Sequence, residues 1–319
     1  MRISRYEQDG NVALGFYRDD AVIPVAAAAA CCRGVVPDVE TLVNASAAVD
    51  LLPGGRYDVI ARATYEWVLA NPRKCDAIAL SVKAVRLRRP IETPGKVLLL
   101  AGNYAAHVRE SGDVAVERAE TFPYVFMKPM TTLNDPDAPI PIPRVSPDHI
   151  DYECELGVVI GRHCKHLRET EALEHVAGYT VVNDISDRCY RPVPERKERK
   201  KDAFFDWLHG KWHDGFCPMG PCIVSSWNVS DPQALTLTQH VNGELRQNAT
   251  TARMIFPVAA IIAFISQSVT LLPGDIIATG TPEGIGMPTG NYLRAGDELA
   301  AAIEGIGALR NSMIDEQEE

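Results

Sequence analysis

Apolar and polar residues alternate with a period of two over residues 2–6, 12–17 and 21–24, which predicts three short strands at the start of the chain. An alanine-rich run over 25–32 predicts a helix, and helical segments follow Asp38 and Arg56. Around Arg88 the text RRPIETPG breaks both periodicities at Pro90, Pro94 and Gly95. That break divides a small N-terminal α+β domain, residues 1–90, from a larger domain over 96–308. In the larger domain, β-rich runs recur between turns at 96–101, 124–128, 152–160, 178–182, 222–224, 235–241, 275–279 and 298–303, with one clear helix near 252–269. This spacing predicts an α+β protein, mainly β, built on a mostly antiparallel sheet rather than a doubly wound one. Residues 309–319, ending in DEQEE, read as an acidic tail.

Composition then narrows the function classes. A chain of 319 residues with 46% hydrophobic and 23% charged side chains can bury a substantial core and is neither disordered nor fibrous. Its net charge of −10 disfavours a nucleic-acid or anionic-membrane binder, so an anionic substrate needs a local cationic pocket. The longest apolar run, MIFPVAAIIAFI, is too short to span a bilayer, contains Pro257, and reads as a buried helix. The N-terminal text MRISRYEQDG has no apolar signal region, which points to the cytoplasm, and eight cysteines without a C-x-x-C pair read as reduced thiols.

Candidate chemistry centres on DYECELGVVI, where strand periodicity puts Glu153 and Glu155 on one face. On a solvated edge the pair costs little, but the following LGVVI argues for burial, and a buried like-charge pair needs a cation. Asp184, ending GYTVVND, offers a third carboxylate. All-oxygen ligation favours a hard ion, Mg²⁺ or Mn²⁺ ahead of Ca²⁺. His107 and Glu110, at i and i+3 after an apolar strand, form either a surface helix pair or a base with its orienting carboxylate. TGTPEGIG, from Thr279 to Gly286, is a plain turn or an anion cradle, and it lacks the signatures of nucleotide loops. His209 with His213, and His163 with His166, have zinc-like spacing but no third partner nearby. The charge run RPVPERKERKK, residues 191–201, is a solvated loop or a mobile flap.

Seven stretches occur in order: KVLLLAGNYAAH, YVFMKP, DYECELGVVIGR, VAGYTVVNDISDR, GKWHDGFCPMGP, VNGELRQ and LLPGDIIATGTPEGIG. Together they resemble the fumarylacetoacetate hydrolase family over residues 96–303. The resemblance implies a mixed β-sandwich roll, usually a homodimer, behind a small N-terminal domain. It implies metal ligation by Glu153, Glu155 and Asp184, and catalysis by His107 and Glu110 on a lid over residues 104–122, with Lys211 beside the metal. It implies substrate contacts at Tyr104, Lys128, Arg188, Gly280 and Thr281. Where relatives continue with D-x-Q, this chain reads Cys189-Tyr190-Arg191, so Arg191 joins the substrate-binding candidates. The implied activity is hydrolysis of a carbon–carbon bond in an acylpyruvate or 1,3-diketo acid, within aromatic or sugar acid catabolism. Decarboxylation or isomerisation of 2-oxo acids and ureidoglycolate-type lyase action are the alternatives, followed by a non-catalytic binding subunit. A small anionic 2-oxo acid is the expected partner, with neither nucleic acid nor membrane.

Overall fold

The computed structural model describes residues 1–317. At its centre is a 12-stranded mixed sheet whose middle strands, Cys154–Ile160 and Val176–Asn183, pair antiparallel and are buried at every position. Strands covered on both faces carry near-continuous apolar runs, which is why LGVVI and GYTVV lack a polar face. Leu156, Val158 and Ile160 share a core with Ile261, Ile262 and Ile265 of the helix Val258–Ser268 and with Leu237, Ala301 and Ile303 of a second sheet. On the opposite face, Val159 and Val182 join the core that contains Ala28, Leu51 and Leu52. The architecture is α+β and mainly β.

The second sheet has five strands, ordered Glu244–Thr250, Thr236–Val241, Glu298–Ile303, Gly307–Asp315 and Ile140–Ile142. Its fourth strand corrects the expected tail. The chain from 309 through Asp315 is sheet, with Met313 buried, because alternate side chains of GALRNSMID face the core. Glu318 and Glu319 lie outside the described residues. The N-terminal unit also joins the main sheet directly, since Arg2–Gln8 pairs antiparallel with Cys217–Ser225. The helix expected near 252–269 begins only after Pro257, whose ring fixes φ and removes a donor just where a helix can start. A second helix, Asp202–His209, was not legible in the periodicity.

Four strand ends meet at one edge of the main sheet. Ile276–Ala278 runs antiparallel to Cys154–Ile160 and parallel to Val97–Ala101. The loops leaving residues 101 and 278, the approach to Cys154 and the exit from Asn183 therefore converge. Asn103 fastens that junction: its side-chain amide donates to the carbonyls of Thr279 at 2.8 Å and Phe256 at 3.1 Å, and its oxygen accepts from Phe256 N–H at 2.8 Å. Asn103→Ala leaves these three main-chain groups without the amide that pairs them, and is expected to cost roughly 2–4 kcal/mol on a scale of about 1–3 kcal/mol per buried unpaired group. Urea unfolding should show a lower midpoint at constant slope. An unchanged midpoint would mean that other contacts hold the junction.

Candidate active site

The cluster of carboxylates sits where the strands converge. Single carboxylate oxygens of Glu153, Glu155 and Asp184 lie within 4.8 Å of one another, and all three residues are buried. Cations offset most of this charge. Lys211 Nζ donates to Glu153 Oε2 at 3.0 Å, Asp184 Oδ2 at 2.6 Å and Ser186 Oγ at 2.8 Å. Lys128 Nζ donates to Asp184 Oδ1 at 2.5 Å and to the carbonyls of Ile185 and Phe216 at 2.9 and 2.7 Å. Arg188 Nε donates to Asp151 Oδ2 at 2.9 Å, and its Nη2 stands 2.7 Å from Glu153 Oε1 without aligning as a hydrogen bond. Asp151 is held in turn by the N–H groups of Gly286 and Met287, at 2.7 and 3.0 Å.

Glu155 is the exception. It accepts one bond, from Gly280 N–H at 2.7 Å to Oε2, while Oε1 is buried without a partner. Burial first, and then the charges of Asp184 and Glu153, hold its carboxyl well above the usual carboxylate range. Burial pushes Glu153 the same way, but Lys211 and Arg188 outweigh it and hold that carboxyl below the usual range. A free buried oxygen beside two further carboxylates is a donor set that fits a hard divalent cation. With Asp151, four carboxyl groups face the cations of Lys128, Lys211 and Arg188; with all four ionised the local sum is −1, which a divalent ion would turn to +1.

Opposite this cluster, the helix Ala105–Glu110 carries His107, whose Nδ1 lies 3.0 Å from Glu110 Oε1. The carboxylate favours the proton on Nδ1 and leaves the Nε2 lone pair open. Glu110 Oε2 also accepts the Gly284 N–H at 2.9 Å, and the Tyr152 hydroxyl donates to Gly284 O at 3.2 Å. Only glycine suits this turn: φ is +100°, and a Cβ would stand 2.2 Å from Arg246 O. His107, Glu153, Arg188, Lys211 and Thr281 line a single cavity of about 610 Å³.

The other expected residues fall into different places. Thr281 reaches the cavity, but its hydroxyl donates to Cys154 O at 3.1 Å and accepts from Gln247 Nε2 at 2.9 Å. Gly280, at φ +87° against Asn103 Cβ, serves by presenting its N–H to Glu155. Lys128 lies behind Asp184 with its three N–H groups donated to protein, so it holds that carboxylate and has no donor left for a substrate. Tyr104 is fully buried in the core and is not on the cavity wall. Arg191 is largely exposed, pairs with Glu198 at 3.2 Å, and is likewise absent from that wall. His209 packs against the Trp212 ring, and His213 faces Asp187. Among the described residues, Glu153, Glu155 and Asp184 form the one group of three or more placed to share a metal. Sequence reasoning missed Asp151, Ser186, Gln247 and Gly284, although all but Ser186's role stood in plain view as polar or glycine positions inside DYECEL, VNGELRQ and TGTPEGIG.

Comparison with known proteins agrees with this geometry. The family model described as fumarylacetoacetate (FAA) hydrolase C-terminal matches residues 96–314. The 2,4-didehydro-3-deoxy-L-rhamnonate hydrolase of Sphingomonas sp. (strain SKA58) is 40% identical over 227 residues, covering 70% of this chain and 75% of the relative. A mitochondrial oxaloacetate tautomerase of Homo sapiens is 38% identical over 256 residues, covering 78% and 77%. The crystal structure of maleylpyruvate hydrolase from Sphingobium sp. SYK-6 in complex with manganese(II) ion and pyruvate superposes with a TM-score of 0.71 at 25% identity, over 99% of this chain and 100% of that one. The chain belongs to the fumarylacetoacetate hydrolase family, whose members here include hydrolases and a tautomerase. All eight cysteines are free thiols, and no helix among the described residues is long and apolar enough to cross a membrane.

Two substitutions separate ligation from support. Glu155→Gln removes the charge of the under-partnered ligand and should weaken Mn²⁺ binding in calorimetry tenfold or more, roughly 1.4 kcal/mol. Lys128→Met leaves Asp184 and two carbonyls without their buried cation, and thermal or urea unfolding should show a loss of about 3–5 kcal/mol. Wild-type Mn²⁺ affinity in the first variant would remove Glu155 from the ligand set.

Proposed function

We propose that the protein hydrolyses the carbon–carbon bond of an acylpyruvate or related 1,3-diketo acid, giving a carboxylic acid and a pyruvate-like 2-oxo acid. The observation that carries this reading is that a carboxylate-held base, His107 paired with Glu110, lines one cavity together with Glu153 of the carboxylate cluster, Arg188 and Lys211. Glu153, Glu155 and Asp184 would hold Mg²⁺ or Mn²⁺. Such an ion supplies Lewis-acid stabilisation of the enolate that departs.

The remaining work falls to the chain itself. Arg188 lines the cavity with its guanidinium held between Asp151 and Glu153, so its charge would stand beside the substrate carboxylate. Lys211 keeps its charge next to the reacting end, since burial opposes that charge but Asp184 and Glu153 outweigh it and raise its pKa. His107 Nε2 takes a proton from water, whose oxygen bonds to the distal carbonyl carbon. The bond between that carbon and the adjacent methylene breaks, its electron pair goes to the enolate of the 2-oxo acid, and His107 returns the proton to the enolate carbon. Across the whole reaction one water is consumed and one proton is released on ionisation of the new carboxylic acid. The segment 104–122 borders the cavity through His107, Val108, Ser111, Asp113, Val114 and Val116, and would act as its lid.

Purified protein with Mn²⁺ or Mg²⁺ is to be assayed for pyruvate release from acylpyruvates, and in parallel against oxaloacetate, a diketo-deoxy sugar acid and ureidoglycolate. Release of pyruvate with a stoichiometric carboxylic acid supports the reading. Enol–keto exchange of oxaloacetate without acylpyruvate cleavage would replace it with the tautomerase chemistry of the human relative. His107→Asn is expected to lower kcat by about 10²–10⁴-fold while Mn²⁺ affinity stays within error. Hydrogen exchange over 104–122 should slow when Mn²⁺ and oxalate are both present, and equal exchange with and without them would argue against closure.

A further inference from the structure

The two ends of the cavity differ in chemistry. Its basic side chains, His107, Arg188 and Lys211, gather at the carboxylate cluster, tied to Glu110, Glu153 or Asp184. Most of the remaining wall is apolar and built on the exit of strand Val97–Ala101, with Ser111, Asp113 and Thr121 as polar members. Ala101 pairs with Tyr124 and Leu100 with Val125 across adjacent strands. Ile255 N–H bonds to Asn103 O at 2.8 Å, which brings Ile255 and Phe256 alongside. Val108 closes over Gly102, where an added Cβ would lie 3.3 Å from Val108 Cγ2. At the mouth, the Phe122 ring meets Tyr124 edge-on at 5.4 Å, and the two remain 58% and 63% exposed. The charged side chain that lines this stretch is Asp113, whose N–H bonds to Val108 O at 3.1 Å, and it is an acid.

We propose that this cavity selects acylpyruvates whose acyl group is neutral and apolar, an alkyl or aryl chain, and discriminates against substrates with a second, distal carboxylate. The inference rests on the acylpyruvate reading above and specifies its substrate. An apolar acyl group would cover Val108, Phe122 and Tyr124 and remove their surface from water, at about 25 cal/mol per Å². A distal carboxylate would lose hydration against that wall, meet Asp113, and find no cation there among the described residues. The three basic groups are committed to the 2-oxo acid end.

The test compares near-isosteric pairs in the presence of Mn²⁺. Pentanoylpyruvate should be cleaved with a kcat/KM at least tenfold above that of succinylpyruvate, and lengthening acetyl to pentanoyl should raise kcat/KM by tenfold or more. Binding is read separately by calorimetry, where 2-oxoheptanoate should bind at least fivefold more tightly than 2-oxoadipate. Asp113→Lys, a change at an exposed position, should narrow both ratios threefold or more. Succinylpyruvate cleaved as fast as pentanoylpyruvate, 2-oxoadipate bound as tightly as 2-oxoheptanoate, or ratios untouched in the Asp113 variant would each overturn the inference. Failure to cleave any acylpyruvate would instead sink the hydrolase reading, and the binding ratio would still decide what the distal wall accepts.

Discussion

Three carboxylates buried within 4.8 Å of one another are the constraint to which the surrounding structure answers. At an effective dielectric near 20, two like charges about 4 Å apart repel by roughly 4 kcal/mol, and removal from water adds to that. The fold meets this cost with two lysines whose ammonium groups donate all three N–H bonds to fixed acceptors. Such donors cannot drift, so the carboxylates they hold are positioned as firmly as the strands. The loop from 279 contributes a main-chain N–H to Glu155, and the loop from 284 supplies two more to Asp151. Many of the glycine and turn positions near the site are therefore explained by the need to aim backbone donors at buried acids.

The same arithmetic governs access by an anion. In a molecule of net charge −10, Arg188 and Lys211 are largely offset by the acids they hold and draw a carboxylate only weakly. A divalent ion at Glu153, Glu155 and Asp184 would reverse the local sign without altering the protein. The unpartnered oxygen of Glu155 belongs to this logic, since it is the acceptor left for such an ion. Charge, more than shape, would then set the orientation in which an anionic 2-oxo acid enters.

Much of this was legible in the sequence, and the exceptions have physical causes. The strand period placed Glu153 and Glu155 together because the pairing of Cys154–Ile160 continues back to Glu153, whose carbonyl accepts from Asp184 N–H, and the i, i+3 rule placed His107 against Glu110 because a single helical turn suffices. Lys128 and Arg191 show the limit. A lysine in FMKP and an arginine in RCYR look alike in text, yet one is sealed behind Asp184 and the other points to an exposed partner, Glu198. Burial is decided by strands distant in sequence, here Cys217–Ser225 and Val176–Asn183, so it cannot be read locally. The strand Gly307–Asp315 does not stand out in the sequence because Asn311 occupies an inward position of its apolar alternation, and only the bonds of Asn311 to Asp135 O and Ala138 O reveal why a polar residue sits there. The helix Asp202–His209 was hidden by the charge run before it.

The single carboxylate of Glu110 has a consequence beyond orienting an imidazole. It grips His107 with one oxygen and the Gly284 amide with the other, so the short helix is docked by the same group that makes its histidine a competent base. Were the helix to lift from the turn at 284, the Gly284 bond would break while the His107 pair, carried on one helical turn, would travel intact. Histidine and carboxylate would then move like a tool in its own holder: the alignment goes with them, and only their distance from the carboxylate cluster changes.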